Sequence, residues 1–187
     1  MSSDFLIVDE ATALQTPKTP IVFKKIIHEF DAIIEIGFNQ GGFSKWLFDN
    51  KNINTKLICY DITFIFKKIN NSSIDFRLGN CFDKKIIEEI IDVIKNSNKT
   101  LILCDGAYKE KEFKLYAEHI KPGDVIMLHD YADSNADFMN ITKDIKWYAK
   151  SESHFANIQE SIINNNLIPY HYNEFKNVLW GAFEKSK

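Results

Sequence analysis

The sequence predicts an α/β protein built on a seven-stranded, mostly parallel sheet with helices on both faces and a closing antiparallel hairpin. Three observations predict it. Short β-branched apolar runs alternate with amphipathic stretches through most of the 187 residues, the order that gives parallel strands joined by crossover helices. These runs end one after another in turn or acidic residues, at Glu35-Ile36-Gly37, Asp61, Gly79-Asn80, Asp105 and Asp130. The last two runs, 167–172 and 178–183, lie too close together for a crossover helix and pair antiparallel.

Each element follows from its residues. Residues 1–20 form a lead-in, and Pro17 and Pro20 hold off helix until Ile21. Residues 21–30 carry apolar side chains at helical spacing. AIIEIG at 32–37 is the first strand, and 43–49 opens the next helix. KLICYDI at 56–62 is a buried strand; 74–78 is a weaker one, followed by GNCFD. Residues 83–96 show a helical stripe of Ile86, Ile87, Ile90, Ile91 and Ile94. TLILCD at 100–105 is a strand, 110–120 a helix, Lys121-Pro122-Gly123-Asp124 a turn, and 125–129 a strand running into Asp130. A looser stretch at 131–155 precedes a helix near 157–165, and a polar turn at 173–177 joins the closing strands. No repeat, low-complexity tract or linker divides the chain, so 1–187 reads as one domain.

Composition narrows the function classes. The 45% hydrophobic and 26% charged fractions are those of an ordinary globular protein, and no apolar run approaches the roughly 18 residues of a membrane span. The first residues lack the basic start and small-residue cleavage site of a signal peptide, so a cytoplasmic location is expected. Cys59, Cys81 and Cys104 are widely spaced, with no C-x-x-C pair, which argues against a disulfide framework or a zinc site. A net charge of −3 and a single arginine, Arg77, weaken a nucleic-acid role.

AIIEIGFNQGGFSKW at 32–46 carries the most functional information. It reads as strand, tight glycine turn and helix start, the arrangement that presents backbone N–H groups to a ligand. Glu35 in front of the turn would repel a pyrophosphate and suits a cationic or hydroxyl-bearing group. The glycine spacing, with Asn39 between Gly37 and Gly41-Gly42, departs from the dinucleotide fingerprint, and no G-K-[ST] follows for a P-loop. Asp61 falls about twenty-five residues after the turn, where nucleoside sites place a carboxylate on ribose hydroxyls. Taken singly, Glu35 also reads as an acceptor for its own turn and Asp61 as the cap of a turn before Phe64. Four carboxylates at one sheet edge repel each other unless a cationic ligand or divalent metal lies between them.

In this order the motifs resemble the class I S-adenosylmethionine-dependent methyltransferases. E-I-G-x-x-x-G-G-F-S looks like their first motif, Asp61 their ribose acid, GNCFD the segment bordering the adenine, and K-P-G with DVIMLHD their fifth strand. The resemblance covers roughly residues 15–185 and implies a Rossmann-like sheet whose sixth and seventh strands form the hairpin. LQTPKTP ahead of the first helix brings the chain nearest to the catechol, macrocin and cephalosporin hydroxylase-like small-molecule O-methyltransferases. It implies S-adenosylmethionine as cofactor, with Glu35 and the turn Gly37, Phe38, Asn39, Gln40 and Gly41 on the methionine end. Asp61 takes the ribose, while Ile62, Asn80, Cys81 and Phe82 border the adenine, and Asp105 lies between cofactor and metal. Mg²⁺ is implied on Asp105 and Asp130. The third ligand position holds Tyr131, a departure from the pattern, with Asp133 as a substitute nearby. The implied chemistry is in-line methyl transfer to a hydroxyl of a small molecule (sugar, phenol or natural product).

The general base is left open between Lys109, Tyr108 and His129, in that order; Lys109 also reads as a solvated helix start within KEKEFK. His129 precedes Asp130 on a strand, so its side chain is expected on the opposite side. The stretch 131–155 is expected as an acceptor-site insertion, with Phe138, Trp147, Tyr148 and Trp180 as acceptor walls or core. No membrane partner is expected, and a homo-oligomer stays open. An RNA 2′-O-methyltransferase would need a Lys-Asp-Lys-Glu set, for which Lys24, Asp105, Lys143 and Glu184 are the available residues. A non-catalytic S-adenosylmethionine-binding protein is the other alternative.

Overall fold

The computed structural model describes residues 6–65, 67–69, 72–144 and 151–187. Seven strands form the central sheet: β1 (Ala32–Ile36), β2 (Lys56–Asp61), β3 (Asp75–Leu78), β4 (Thr100–Cys104), β5 (Val125–His129), β6 (Leu167–Pro169) and β7 (Trp180–Lys185). They lie in the order β6-β7-β5-β4-β1-β2-β3. The five from β5 to β3 are parallel, and β7 runs antiparallel to both β5 and β6. The chain winds from β1 outward through β2 and β3, then crosses back to place β4 on the other side of β1. That reversal puts a crevice beyond the carboxyl ends of β1 and β4.

Every residue of β1, β4 and β5 is buried, as a sheet covered on both faces requires. Alternate side chains feed two cores. Ile33, Leu57, Leu101, Leu103, Val125 and Met127 face one layer with Phe23, Phe43, Leu47 and Phe175. Ile34, Ile36, Ile58, Ile102, Ile126 and Leu128 face the other with Ile86, Ile90, Ile94, Phe113 and Ile158. Thus α1 (Thr19–Phe23), α2 (Gly42–Asn50) and α7 (Tyr172–Lys176) cover one face. The opposite face takes α3 (Lys84–Asn96), α4 (Lys109–Ala117) and α6 (Phe155–Asn164). Cys59, Cys81 and Cys104 are buried and unbridged, as their spacing predicts. No helix among the described residues is long and apolar enough to cross a membrane.

Four local expectations change. The helix expected at 21–30 starts earlier, at Thr19, because Pro20 sits in its first turn, where its missing N–H costs nothing. It stops at Phe23 and is followed by a separate 3₁₀ turn, Ile27–Glu29, yet Phe23, Ile26, Ile27 and Phe30 are all buried as their spacing demanded. The looser stretch contains α5 (Asn135–Thr142), whose Ser134 cap accepts a bond from Asp137 N at 3.2 Å, and two short paired segments, Tyr131–Ala132 and Ser153–His154. The polar turn at 173–177 is instead α7, whose Phe175 is fully buried, so β6 and β7 pair antiparallel across a helical connection. Trp147 and Tyr148 lie outside the described residues.

Candidate active site

The glycine turn follows β1 directly. Gly37, at φ +100°, lies so close to β4 that a Cβ would stand 2.3 Å from the Asp105 carbonyl oxygen, so no other residue fits between the two strand ends. Three amides of the turn are used internally: Gly37 N donates to Tyr60 O at 2.8 Å, Asn39 N to Asp61 Oδ2 at 2.9 Å and Gly41 N to Phe38 O at 2.8 Å. The open cradle of N–H groups read from the sequence is therefore partly closed. Its Asn39 amide positions Asp61, whose other oxygen accepts from Thr63 N at 3.1 Å.

Beyond the strand ends lies a cavity of about 730 Å³. Gly37, Asn39, Asp61, Ile62, Asn80, Cys81, Phe82 and Asp105 of the expected cofactor set line it, together with Tyr108 and Lys109 of the expected base set. Phe82 is held by an Asn80-anchored turn and meets the Tyr108 ring edge-on at 6.3 Å. Ile62, largely exposed, adds a further apolar side chain to the lining.

Glu35, Phe38, Gln40 and Gly41 do not line it. Phe38 packs against Phe76, Gly41 closes the turn at φ +85°, and Gln40 Oε1 accepts from Thr12 N at 2.9 Å. Glu35 is buried, accepts a hydrogen bond from Ser44 Oγ, and faces a recess of about 40 Å³ shared with Thr12, Leu14, Gly37 and Asp105. Burial pushes its carboxyl up to about 8, against the opposing bonds from Ser44 and Cys59.

Asp105 joins this cavity to a second group. Its Oδ1 meets His129 Nδ1 at 2.9 Å, and its Oδ2 accepts from Gln15 Nε2 at 2.9 Å. His129 was expected to face away from Asp130, but strand alternation ends before that pair. Asp130 has left-handed backbone, φ +53°, so its carboxylate turns to within 3.7 Å of the His129 ring. Burial opposes the imidazolium, yet Asp105 and Asp130 outweigh it and raise the pKa of His129. Lys109 Nζ lies 3.3 Å from Asp130 Oδ2 and 2.7 Å from Glu152 Oε2. Burial there would favour neutral lysine, but Asp105, Asp130 and Glu152 prevail and raise its pKa above the ordinary lysine range. Lys109 is thus a paired ammonium, neither the solvated helix start nor a group ready to accept a proton.

These strand ends, in this order, are the arrangement of a known fold of enzymes. Residues 21–145 match the model of the FtsJ-like methyltransferase family. The chain belongs to that family. It is an S-adenosylmethionine-dependent methyltransferase. Among solved structures, the apo-structure of CmcI is similar at TM-score 0.70 and 16% identity, over 97% of this chain and 76% of that one. A CmcI structure with Mg and SAM gives 0.68 and 16%, over 97% and 77%. MycE, a methyltransferase of the mycinamycin biosynthetic pathway solved with Mg and SAH, gives 0.54 and 14%, over 92% of this chain and 49% of that one. No curated protein matches the sequence.

In this methyltransferase the carboxylate cluster passes a test for a divalent cation. Asp105, His129 and Asp130 each offer a ligand atom, and these atoms lie within 4.8 Å of one another. Asp130 Oδ1 is buried and accepts no hydrogen bond from a described residue, as an oxygen reserved for a cation would. His129, and not Tyr131, is the third residue of that group. Tyr131 is fully buried, its hydroxyl 2.6 Å from that of Tyr172 and 2.9 Å from Asp133 Oδ1, and Lys176 Nζ lies 2.8 Å from Asp133 Oδ2. Asp133 is thereby committed to Tyr131, Tyr172 and Lys176 and does not substitute in the cluster.

The sequence reading missed Gln15, Glu112 and Glu152. Glu112 is buried, accepts from Gly106 N and Tyr108 N at 3.1 Å, and is pushed up to about 7 by burial. Glu152 arrives because Glu152 N and Ser153 N both donate to Asp130 O at 3.2 Å. The S-x-x-D pattern at Ser134 could have exposed the order in this stretch; no local signal marks Glu152. Phe138 and Trp180 are core, Trp180 being packed on Phe23, Phe43 and His129.

Proposed function

We propose that the protein transfers the methyl group of S-adenosylmethionine to a hydroxyl of a small polar molecule at the cluster Asp105–His129–Asp130. The observation that carries this is Asp105 itself, which lines the nucleoside-sized cavity and belongs to the cation cluster. On this reading Asp61 accepts the ribose hydroxyls, its carboxylate pre-aimed by Asn39 N. Ile62, Asn80, Cys81 and Phe82 border the adenine, with Tyr108 beside Phe82 on the same wall. The methionine end lies against Gly37, and its cationic group reaches toward the recess of Glu35. Asp105, His129 and Asp130 hold a divalent ion, which when bound acidifies and fixes an acceptor hydroxyl.

The chain's own contribution is alignment: the sulfonium already carries an activated methyl, so rate comes from holding acceptor oxygen, methyl and sulfur in line and excluding water. None of the three base candidates is carried into the proposal, since Lys109 is a paired ammonium, His129 belongs to the cluster and Tyr108 to the aromatic wall.

The RNA reading loses support from the sheet register. Glu184 pairs with Val125 at the amino end of β5, whereas Asp105 follows the carboxyl end of β4 beside Leu128. Lys24 and Lys143 are exposed at the ends of α1 and α5. The Lys-Asp-Lys-Glu set is not brought together.

The test is incubation with methyl-labelled S-adenosylmethionine and Mg²⁺ against phenols, sugars and macrolides, with RNA in parallel. Label on a small hydroxyl compound, lost in Asp105→Asn, is expected. Label on RNA alone, or calorimetry showing no S-adenosylhomocysteine binding, overturns the proposal.

A further inference from the structure

We propose that the ammonium of Lys109 is the resident counter-cation of the Asp105–Asp130 pair, and that a divalent ion enters by displacing it onto Glu152. This rests on reading the cluster as a cation site. Lys109 begins α4 next to the cavity wall and is only 8% exposed, so its charge has left water and is held by carboxylates. Its Nζ lies 3.3 Å from Asp130 Oδ2, on the carboxylate whose Oδ1 accepts no hydrogen bond from a described residue. A divalent ion drawn to that carboxylate meets a fixed positive charge within contact range, and in a buried site the two repel strongly.

The geometry supplies an exit for the lysine. Glu152 Oε2 already holds Nζ at 2.7 Å, and the Glu152 side chain is 49% exposed, so the stem can swing outward without losing its partner. The backbone stays in place meanwhile: Glu112 takes the N–H groups of Gly106 and Tyr108, and Glu110 Oε1 takes His154 N at 3.0 Å and Asn157 Nδ2 at 2.8 Å. The charged groups around the cluster are Asp105, His129 and Asp130 at the strand ends, Lys109 and Glu112 on α4, and Glu152 just before the paired segment Ser153–His154. Lys109 is the one whose long flexible stem lets it leave. Without metal it adds its charge to that cluster at Asp130, while His129 sits between the two carboxylates; with metal it becomes half of an ion pair with the part-exposed Glu152.

The experiment is a Mn²⁺ titration of the full chain followed by electron paramagnetic resonance, which needs no methyl transfer. Lys109→Met is expected to bind Mn²⁺ at least tenfold more tightly than the wild type. Lys109→Arg, which keeps the charge, is expected to bind no more tightly than wild type, and adding Asp130→Asn to Lys109→Met is expected to abolish the gain. Equal or weaker Mn²⁺ binding by a folded Lys109→Met protein overturns the proposal. If wild type and Lys109→Met bind equally and both lose the ion with Asp130→Asn, the cation site stands and the role of Lys109 alone falls. If no form binds Mn²⁺, both fall. Should Lys109→Met fail to fold, Glu152→Gln decides: removal of the second seat is expected to weaken Mn²⁺ binding about threefold or more, and unchanged or tighter binding counts against the exchange.

Discussion

Gln15 holds Asp105: its Nε2 donates to Asp105 Oδ2 at 2.9 Å while its Oε1 accepts from Trp180 Nε1 at 2.8 Å. The amide is fully buried, and its two bonds tie the lead-in, the end of β4 and the start of β7 into one unit. Asp105 is therefore oriented from both sides, by Gln15 on one oxygen and His129 on the other. Gln15→Leu keeps the volume but orphans a buried indole N–H, a loss of about 1–3 kcal/mol. The expected outcome is a lower melting temperature together with a roughly tenfold or greater fall in kcat for methyl transfer, because a freed carboxylate no longer fixes the reacting groups. Gln15→Glu places a second carboxyl against Asp105 in a fully buried site, so it is expected to lower stability and kcat as well, not to restore either. Parallel melting curves and steady-state kinetics check both losses.

Glu35 sets a pH dependence. Its carboxyl is about 8 in the fold against 4.5 as its ordinary value, so between those values the folded chain binds a proton that the unfolded chain releases. The contribution of Glu35 to the stability of the cofactor-free protein is thus full below about pH 4.5 and is lost as pH rises to about 8; Glu112, pushed up to about 7, acts in the same direction. Glu35→Gln is expected to flatten this slope by a few kcal/mol across the window. Chemical denaturation at pH 5, 6.5 and 8 is the measurement, and a slope unchanged in Glu35→Gln would refute the assignment.

On the proposed placement of the cofactor, the same acid couples its binding to proton release. A cationic methionine end near the recess favours ionised Glu35, so below pH 8 binding of S-adenosylhomocysteine expels a proton and weakens as pH falls. Calorimetry at pH 7 in two buffers of different ionisation enthalpy reports the proton directly. Release is expected in the wild type and diminished in Glu35→Gln.

Asp61 is aimed before any nucleoside arrives, since Asn39 N and Thr63 N fix its two oxygens. Bonds from hydroxyls to a carboxylate are worth about 1.5–3 kcal/mol each. Asp61→Ala is expected to raise the dissociation constant for S-adenosylhomocysteine at least tenfold with little change in melting temperature, because Asp61 lies at the cavity edge.

Much of this arrangement was legible in the sequence. β-branched runs ending in Glu35, Asp61, Asp105 and Asp130 announced the sheet and its ligand edge, because a buried parallel strand is written in consecutive residues. Of the cavity-lining positions, Asp61 and Asn80 followed from their place at strand ends, and Cys81 and Phe82 from the likeness of GNCFD to a methyltransferase segment. Long-range contacts were not legible. Gln15 reaches Asp105 across 90 positions and Glu152 reaches Lys109 across 43, and no local pattern records either. His129 was misdirected because the alternation rule was carried one residue past the strand, into the left-handed Asp130. α7 was hidden by its polar residues, and only tertiary burial of Phe175 makes it a helix.

Gly42 offers a test of the lead-in. The pair Gly41-Gly42 suggests a turn, but only Gly41 has positive φ. Gly42 is helical; its missing side chain matters because a Cβ there would stand 2.7 Å from Ala11 O and 3.0 Å from Ala13 N. The second glycine thus lets the lead-in cross the start of α2, where Thr12 N bonds Gln40 and Thr12 and Leu14 wall the Glu35 recess. Gly42→Ala suits the helix by about 1 kcal/mol of propensity, so a helix-only view expects stabilisation. The clash is with backbone, which yields only if the lead-in lifts. The expected outcome is the reverse: faster limited proteolysis within residues 6–16, a melting temperature no higher than wild type, and faster S-adenosylhomocysteine dissociation. Proteolysis and stopped-flow release on one sample separate the two expectations.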